Sequence, residues 1–188
     1  MIDFRRTLHF LDQSLSEVLI VPNSKRDVLL WVEYLMSGLP WIIGSSLAVV
    51  YAVSDRWDIN TLHKLVILNI GLLADLCIVG VLKLIIQRPR PVNNIDDLVV
   101  GAPIVDEYSF PSGHCARAAM LGTICARFFQ KSRVIVTGLY ILVAISRVAM
   151  GRHYCSDALA GIALGWLEGV VVLSLPISAT KWLKKILR

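Results

Sequence analysis

Residues 62–91 read LHKLVILNIGLLADLCIVGVLKLIIQRPRP. The apolar part of this stretch exceeds the roughly 20 residues that a helix needs to cross a bilayer, and it closes with the cations Lys83 and Arg90. Hydrophobic residues make up 56% of the 188-residue chain, above the roughly 45–50% apolar content of soluble domains. The sequence therefore predicts one domain embedded in a membrane.

The hydrophobic pattern on either side of this stretch predicts an all-α bundle of about five spanning helices. We expect them near residues 28–53, 62–86, 113–129, 134–149 and 157–178. Gly38 and Pro40 fall inside the first of these and predict a break or kink. The chain then divides into an N-terminal segment (1–26), a membrane-embedded domain (27–180) and a basic C-terminal tail (181–188).

The N-terminal segment has a pattern of its own. Between residues 4 and 21 apolar side chains recur every three or four positions, with Arg5, Asp12 and Glu17 among the polar ones. Such a helix is too polar to span a bilayer and is suited to lie at its surface. We therefore predict an amphipathic interfacial helix here.

Charge and cysteine content exclude some classes of function. The net charge of +5 does not indicate a nucleic-acid partner, because the cations lie between hydrophobic segments and form no stripe interleaved with aromatic residues. The four cysteines are dispersed, and three lie in or beside hydrophobic segments, so we interpret them as small apolar residues. The sequence predicts no metal site and no cofactor.

Three polar patches stand at the ends of predicted spans. They run from Lys83 to Pro91, from Pro111 to His114, and from Ser146 to Asp157. The second span ends at the first patch, the third span begins at the second patch, and the fourth span returns the chain to the third. Because consecutive spans run in opposite directions, all three patches are predicted to lie on one side of the membrane.

The first two patches each have a phosphate-binding and an ordinary interpretation. Lys83 and Arg90 can hold phosphate oxygens, or they can reach toward lipid head groups as basic residues at helix ends do. Ser112, Gly113 and His114 open a helix, where free backbone N–H groups and a glycine favour a close anion. The alternative is that the serine only caps the helix.

The third patch supplies the candidate nucleophile. His153 and Asp157 are four residues apart and share a face if the helix has begun. A carboxylate bonded to one ring nitrogen would leave the other nitrogen free to attack. The ordinary alternative is an aspartate that caps the helix beside an unrelated histidine. The coincidence of all three patches on one side favours a site that holds a phosphate and attacks it.

These motifs resemble a known family. Lys83-x6-Arg90-Pro91, Pro111-Ser112-Gly113-His114 and Ser146-Arg147-x5-His153-x3-Asp157 are similar to the three-part signature of the type 2 phosphatidic acid phosphatase superfamily. Within that superfamily, residues 92–97, 107–119 and 146–153 resemble the polyisoprenoid diphosphate phosphatases. The resemblance implies a helical membrane phosphatase that requires no metal or cofactor.

The same resemblance implies residue roles. His153 would attack phosphorus and form a phosphohistidine, Asp157 would orient and charge its ring, and His114 would be the general acid. The phosphoryl oxygens would be neutralised by Lys83, Arg90, Ser112, Gly113 and Arg147.

Further charged residues accompany the motifs. Arg88, Arg117 and Arg152 lie beside motif positions, and we hypothesise that they contact a second phosphate; the alternative is contact with lipid head groups. Asp75 and Glu168 lie inside predicted spans, where a charge is costly and faces the bundle interior. For both we favour a structural role, with Asp75 paired to Lys83 or to another buried cation.

The expected substrates are isoprenoid diphosphates such as presqualene, farnesyl or geranylgeranyl diphosphate, and the expected partners are these substrates and membrane lipids. The alternatives are phosphatidate, lysophosphatidate or sphingosine phosphate as substrate, and a non-enzymatic lipid-binding scaffold. Basic residues near helix ends opposite the site predict that the site faces the lumen or the exterior. They are Arg127, Lys131, Arg133, Lys181, Lys184, Lys185 and Arg188. The resemblance implies the endoplasmic reticulum and nuclear envelope, and the alternative is a bacterial inner membrane.

Overall fold

The computed structural model describes residues 4–22, 26–94, 107–129 and 133–186. Within these ranges it contains eight α-helices. They are α1 (Phe4–Val18), α2 (Arg26–Leu35), α3 (Gly38–Ser54), α4 (Ile59–Ile86), α5 (Gly113–Phe128), α6 (Arg133–Ala149), α7 (Cys155–Leu173) and α8 (Ile177–Ile186). The described residues also contain an isolated antiparallel β-bridge between Pro89 and Tyr108. The predicted all-α class is confirmed.

Three helical stretches are long and apolar enough to cross a membrane. They are Arg26–Ser54, Ile59–Ile86 and Cys155–Leu173, of 29, 28 and 19 residues. Helices α5 and α6 have 16 and 17 residues. The chain is therefore an integral, multi-pass membrane protein, while the predicted number of five spans stays a prediction.

The predicted break in the first span lies between α2 and α3, immediately before Gly38. Pro40 falls in the first turn of α3, where a missing backbone N–H costs no helical hydrogen bond. The carbonyl groups freed at the break find donors elsewhere. Trp41 Nε1 donates to the oxygen of Leu35 at 2.7 Å, and Arg117 Nη1 donates to the oxygen of Met36 at 2.9 Å.

The predicted end of the fifth helix near residue 178 was wrong. Helix α7 ends at Leu173, because Pro176 cannot continue it, and the described part of the predicted tail lies on α8. This helix packs on the start of α4, where His63 Nδ1 lies 2.7 Å from Oγ1 of the fully buried Thr180. The segment is therefore part of the folded bundle.

Some residues used in the sequence predictions lie outside the described ranges. They are Ile95, Asp96 and Asp97 of the resembling stretch 92–97, together with Lys131 and Arg188 among the basic helix ends. The N-terminal segment forms the predicted helix α1, and its place at the membrane surface stays a prediction.

Glycines bring α5 and α7 into backbone contact. A Cβ atom on Gly165 would stand 1.8 Å from the carbonyl oxygen of Ala116, and one on Gly161 would stand 2.5 Å from that of Ser112. Gly169 continues the stripe one turn later. Small residues four positions apart let helices approach this closely within a membrane. The contact fixes the start of α5 against the start of α7, where two of the three patches lie.

Adding a side chain to this contact should disrupt the bundle. We expect Gly165→Val to lower the melting temperature of the detergent-purified protein and to abolish its activity, since even an alanine Cβ would overlap the Ala116 carbonyl. Overpacking of this kind costs about 1–3 kcal/mol or more. The matched control is Gly80→Ala in α4, where a Cβ meets nothing within 4 Å. Equal stability of the two variants would contradict the role given to this contact.

Candidate active site

His153 lies in the short connection between α6 and α7, with 2% of its surface exposed. Its Nδ1 atom is 2.8 Å from the carbonyl oxygen of Ser109. A carbonyl only accepts, so Nδ1 carries the proton, and Nε2 of the neutral ring keeps its lone pair. Gly151 makes the tight turn before the histidine, with φ of +68° and no room for a Cβ against Asn93. The ring is thus held as a nucleophile requires.

The predicted direct bond between Asp157 and His153 is not what the structure shows. Oδ2 of Asp157 is 3.8 Å from Nδ1 of His153, beyond hydrogen-bond distance. The carboxylate instead accepts the backbone N–H of Tyr154 at 3.0 Å and a guanidinium N–H of Arg88 at 2.5 Å. The Ser109 carbonyl orients the ring in its place.

The predicted phosphate ligands from separate patches meet around this histidine. Lys83, in the last turn of α4, and Arg147, in the last turn of α6, are both buried. Arg90 donates from Nη1 to the carbonyl oxygen of Arg152, the residue before the histidine, at 3.1 Å. Lys83, Arg90 and Arg147 all lie close enough to act electrostatically on His153. Cations from the first and third patches therefore converge on the imidazole of His153.

The start of α5 completes the group. Ser112 is fully buried at the N-cap position, and its backbone N–H donates to the backbone carbonyl oxygen of Asp157 at 3.1 Å. The half-buried His114 lies within electrostatic reach of Lys83, Arg147 and His153. The structure thus brings both histidines of the prediction together.

Gly113 has a packing role that the sequence did not reveal. A Cβ atom at this position would stand 3.2 Å from Cγ1 of Val79 on α4. The glycine therefore lets α4 and α5 pack closely, and its proposed contact with an anion stays a prediction.

The three arginines predicted to contact a second phosphate are each paired with carboxylates. Arg88 lies 2.7 Å from Asp12 in addition to its bond with Asp157, Arg117 lies 2.8 Å from Asp75, and Arg152 lies 3.1 Å from Glu33. Asp75 thus pairs with a buried cation, which is Arg117 and not Lys83. The buried Glu168 lies within electrostatic reach of this pair. A second phosphate would have to compete with these ion pairs.

Sequence reasoning missed the part that α1 plays. Oδ1 of Asp12 accepts the backbone N–H of Ser156 at 3.0 Å, and Oγ of Ser16 accepts that of Cys155 at 2.9 Å. These two N–H groups open α7 and have no acceptor within their own helix. Oδ2 of Asp12 also accepts from Arg88 at 2.7 Å. Helix α1 therefore caps the helix that carries Asp157, and no local spacing in the sequence reveals a cap supplied by a distant helix.

Sequence reasoning also missed Glu33 on α2. Its Oε2 atom lies 2.8 Å from Nη1 of Arg147 and 3.1 Å from Nε of Arg152. A single glutamate in an apolar helix indicates a costly buried charge, but the sequence does not predict which cations it pairs with. The structure adds a carboxylate to the cations of the site.

The described part of the chain holds no group of three or more His, Cys, Asp or Glu side chains placed to share a metal ion. A reaction without metal or cofactor stays a prediction.

Comparison with known proteins gives a consistent picture. The profile of the PAP2 superfamily matches residues 64–180. Phosphatidylglycerophosphatase B of Bacillus subtilis (strain 168) is 32% identical over 169 residues, which cover 77% of this chain and 76% of that protein. A probable lipid phosphate phosphatase beta of Arabidopsis thaliana is 33% identical over 132 residues, covering 55% of this chain and 62% of the plant protein.

Two further similarities extend the comparison. The undecaprenyl-diphosphatase of Sulfolobus acidocaldarius is 32% identical over 107 residues, which cover 55% of this chain and 50% of that protein. This chain thus spans about half to two thirds of the plant and archaeal proteins. The crystal structure of a transmembrane PAP2-type phosphatidylglycerolphosphate phosphatase from Bacillus subtilis superposes with a TM-score of 0.65 at 25% identity, covering 89% of this chain and 85% of that one.

Asp12 should matter for turnover although it lies far from the motifs in sequence. We expect Asp12→Ala to lower kcat about tenfold with little change in KM, since it removes a helix cap and the partner of Arg88, each worth about 1–2 kcal/mol. Asp12→Asn keeps an acceptor for the Ser156 N–H and should lose less. The control is Glu17→Gln on the exposed side of α1. Equal kcat values for Asp12→Ala and Glu17→Gln would contradict this role.

The histidine should make stability depend on pH. Burial lowers the pKa of His153 well below its ordinary value of 6.5, and the charges of Arg90, Arg147 and Lys83 act in the same direction. As the pH falls below about 6.5, the unfolded chain binds a proton that the folded chain does not, so the free energy of unfolding decreases.

The measurement is the melting temperature of wild type and His153→Gln in detergent from about pH 8 to about pH 5. Wild type should lose more of its melting temperature at the acid end than the variant does. Parallel curves would show that His153 makes no such contribution.

Proposed function

The chain belongs to the PAP2 superfamily, and on that premise we propose that it is a membrane lipid phosphatase with His153 as its nucleophile. The observation that carries the proposal is the meeting of Lys83, Arg90 and Arg147 around a buried imidazole whose Nδ1 is held by the Ser109 carbonyl. Cations placed where phosphoryl charge develops stabilise the transition state of phosphoryl transfer.

The proposed reaction has two steps. Nε2 of His153 attacks the terminal phosphorus and forms a P–N bond, while the bond from that phosphorus to the leaving oxygen breaks and His114 gives that oxygen a proton. The leaving oxygen belongs to the lipid alcohol in a monophosphate and to the lipid monophosphate in a diphosphate. Water then attacks the phosphohistidine, the P–N bond breaks, and His114 takes a proton from the water. Inorganic phosphate leaves with both histidines restored. The charge of Asp157, 3.8 Å from the ring, favours the positive form that arises during transfer.

The first candidate substrates are isoprenoid diphosphates, including presqualene, farnesyl and geranylgeranyl diphosphate. The sequence stretches 107–119 and 146–153 support this class, as does similarity to an undecaprenyl-diphosphatase. A second candidate class is the phosphate monoesters: phosphatidate, lysophosphatidate and sphingosine phosphate. The observation in its favour is that Arg88, Arg117 and Arg152 are already paired with carboxylates.

The site is proposed to face the lumen or exterior of an endoplasmic reticulum or nuclear envelope membrane. The support is the positive-inside rule. Helix α5 runs from His114 at the site to Arg127 in its last turn, so the basic residues at that end and at Arg133 lie on the opposite side.

Phosphate release tests the proposed function. Detergent-purified protein is given farnesyl diphosphate, farnesyl monophosphate and phosphatidate in the presence of EDTA. We expect release that resists EDTA, prefers farnesyl diphosphate, and falls by about 10³-fold or more in His153→Ala. The matched control is His63→Ala, because His63 binds Thr180 on α8 and contacts none of the site residues described above.

Each other outcome has a definite meaning. A preference for phosphatidate would retain the mechanism and replace the first substrate class by the second. Full activity of His153→Ala would exclude this histidine as the nucleophile. Release from none of the three by the wild type would favour a non-enzymatic lipid-binding scaffold.

A further inference from the structure

The carboxylate of Glu33 forms ion pairs with both arginines of the third motif, Arg147 and Arg152. Its Oε2 atom lies 2.8 Å from Nη1 of Arg147 and 3.1 Å from Nε of Arg152. The side chains of both arginines are at most 1% exposed, and that of Glu33 is 13% exposed. A guanidinium presents the same N–H edges to a carboxylate and to a phosphoryl group. The negative charge of Glu33, held against both guanidinium groups, therefore opposes the approach of a phosphate oxygen to the same groups.

The Glu33 carboxylate lies close to groups that are proposed to bind the substrate phosphate. Arg147 acts electrostatically on His114 and on His153, so an anion held by Arg147 lies beside both histidines of the site. Arg152 directly precedes the nucleophile. The carboxylate of Glu33 therefore lies against Arg147, a proposed phosphate ligand, and against the residue next to the proposed nucleophile.

Helix α2 buries little of its surface in the bundle. Of its ten residues, all within the described chain, Arg26 is the buried one, while Val28, Trp31 and Leu35 are between 63% and 74% exposed. The helix packs mainly on α6, which carries Arg147, and the chain breaks just after it. Few apolar contacts therefore oppose a small displacement of Glu33.

We propose that Glu33 is a specificity-determining residue that reduces, without reversing, the preference for diphosphates over monophosphates by pairing with Arg147 and Arg152. A monophosphate is bound by Lys83, Arg90 and the remaining donors of Arg147 without disturbing Glu33. A diphosphate brings a second anionic group that must displace the carboxylate before it gains the arginine N–H groups. This inference rests on the proposed function.

The test compares substrate preference in two variants. The ratio of kcat/KM for farnesyl diphosphate to kcat/KM for farnesyl monophosphate is measured for wild type, Glu33→Gln and Glu33→Asp. Glu33→Gln removes the negative charge and should raise the ratio about tenfold, the usual worth of a hydrogen bond between charged groups. Glu33→Asp keeps the charge for folding but shortens the reach, so the ratio should rise in the same direction by a smaller factor.

The control is Asp27→Asn, which removes one negative charge from the exposed side of the same helix. Its ratio should equal that of wild type. An unchanged or lower ratio in Glu33→Gln overturns the proposal, and so does an equal rise in Asp27→Asn. If Glu33→Gln does not fold, an unchanged ratio in Glu33→Asp overturns it.

A binding measurement separates this proposal from the proposed function. The rise in melting temperature caused by inorganic pyrophosphate is compared with that caused by inorganic phosphate, which requires no turnover. Glu33→Asp and Glu33→Gln should increase the pyrophosphate effect relative to the phosphate effect. A wild type that releases no phosphate from lipids contradicts the proposed function, whereas unchanged anion binding in the Glu33 variants contradicts the role of Glu33.

Discussion

The closeness of α5 and α7 is the constraint on which the site depends. Lipid is as apolar as the side chains that it surrounds, so helices in a membrane gain by packing against each other and not by leaving water. Gly161, Gly165 and Gly169 present no side chain to α5 at three successive turns of α7, and the backbone of α5 fills the space at the first two. The Ser112 N–H then reaches the Asp157 carbonyl, which joins the second motif to the third.

A second organising feature is the pairing of arginines with carboxylates from other helices. Asp12 of α1 binds Arg88, Glu33 of α2 binds Arg147 and Arg152, and Asp75 of α4 binds Arg117. Unpaired charges at these depths would be costly, so each pair also attaches a helix to the core. A site that needs many cations for phosphate thereby becomes the centre to which the surrounding helices are bound.

The sequence was informative where its signals are local. Runs of apolar residues predicted the helices, a glycine and a proline predicted the break before α3, and motif spacing predicted which residues would gather around His153. The boundary at Leu173 was missed because apolar residues continue past the helix end toward Pro176. The bond from His153 to the Ser109 carbonyl was missed because every residue has a backbone carbonyl, so the residue type does not predict which one accepts. Asp12 and Glu33 were missed because their partners lie on other helices, at distances that no periodicity records.

The cap that α1 places on α7 has a consequence for how the molecule is assembled. Asp12 and Ser156 are 144 residues apart in the chain, so their bond forms only after residue 156 has been synthesised. The entropic cost of closing a loop grows only slowly with its length, so this contact can form once both residues are present. Until then the first turn of α7 has N–H groups without acceptors, and Asp157 and Arg88 lack part of their support. The centre of the proposed site thus becomes ordered only when residues 12 and 156 are both present in the chain.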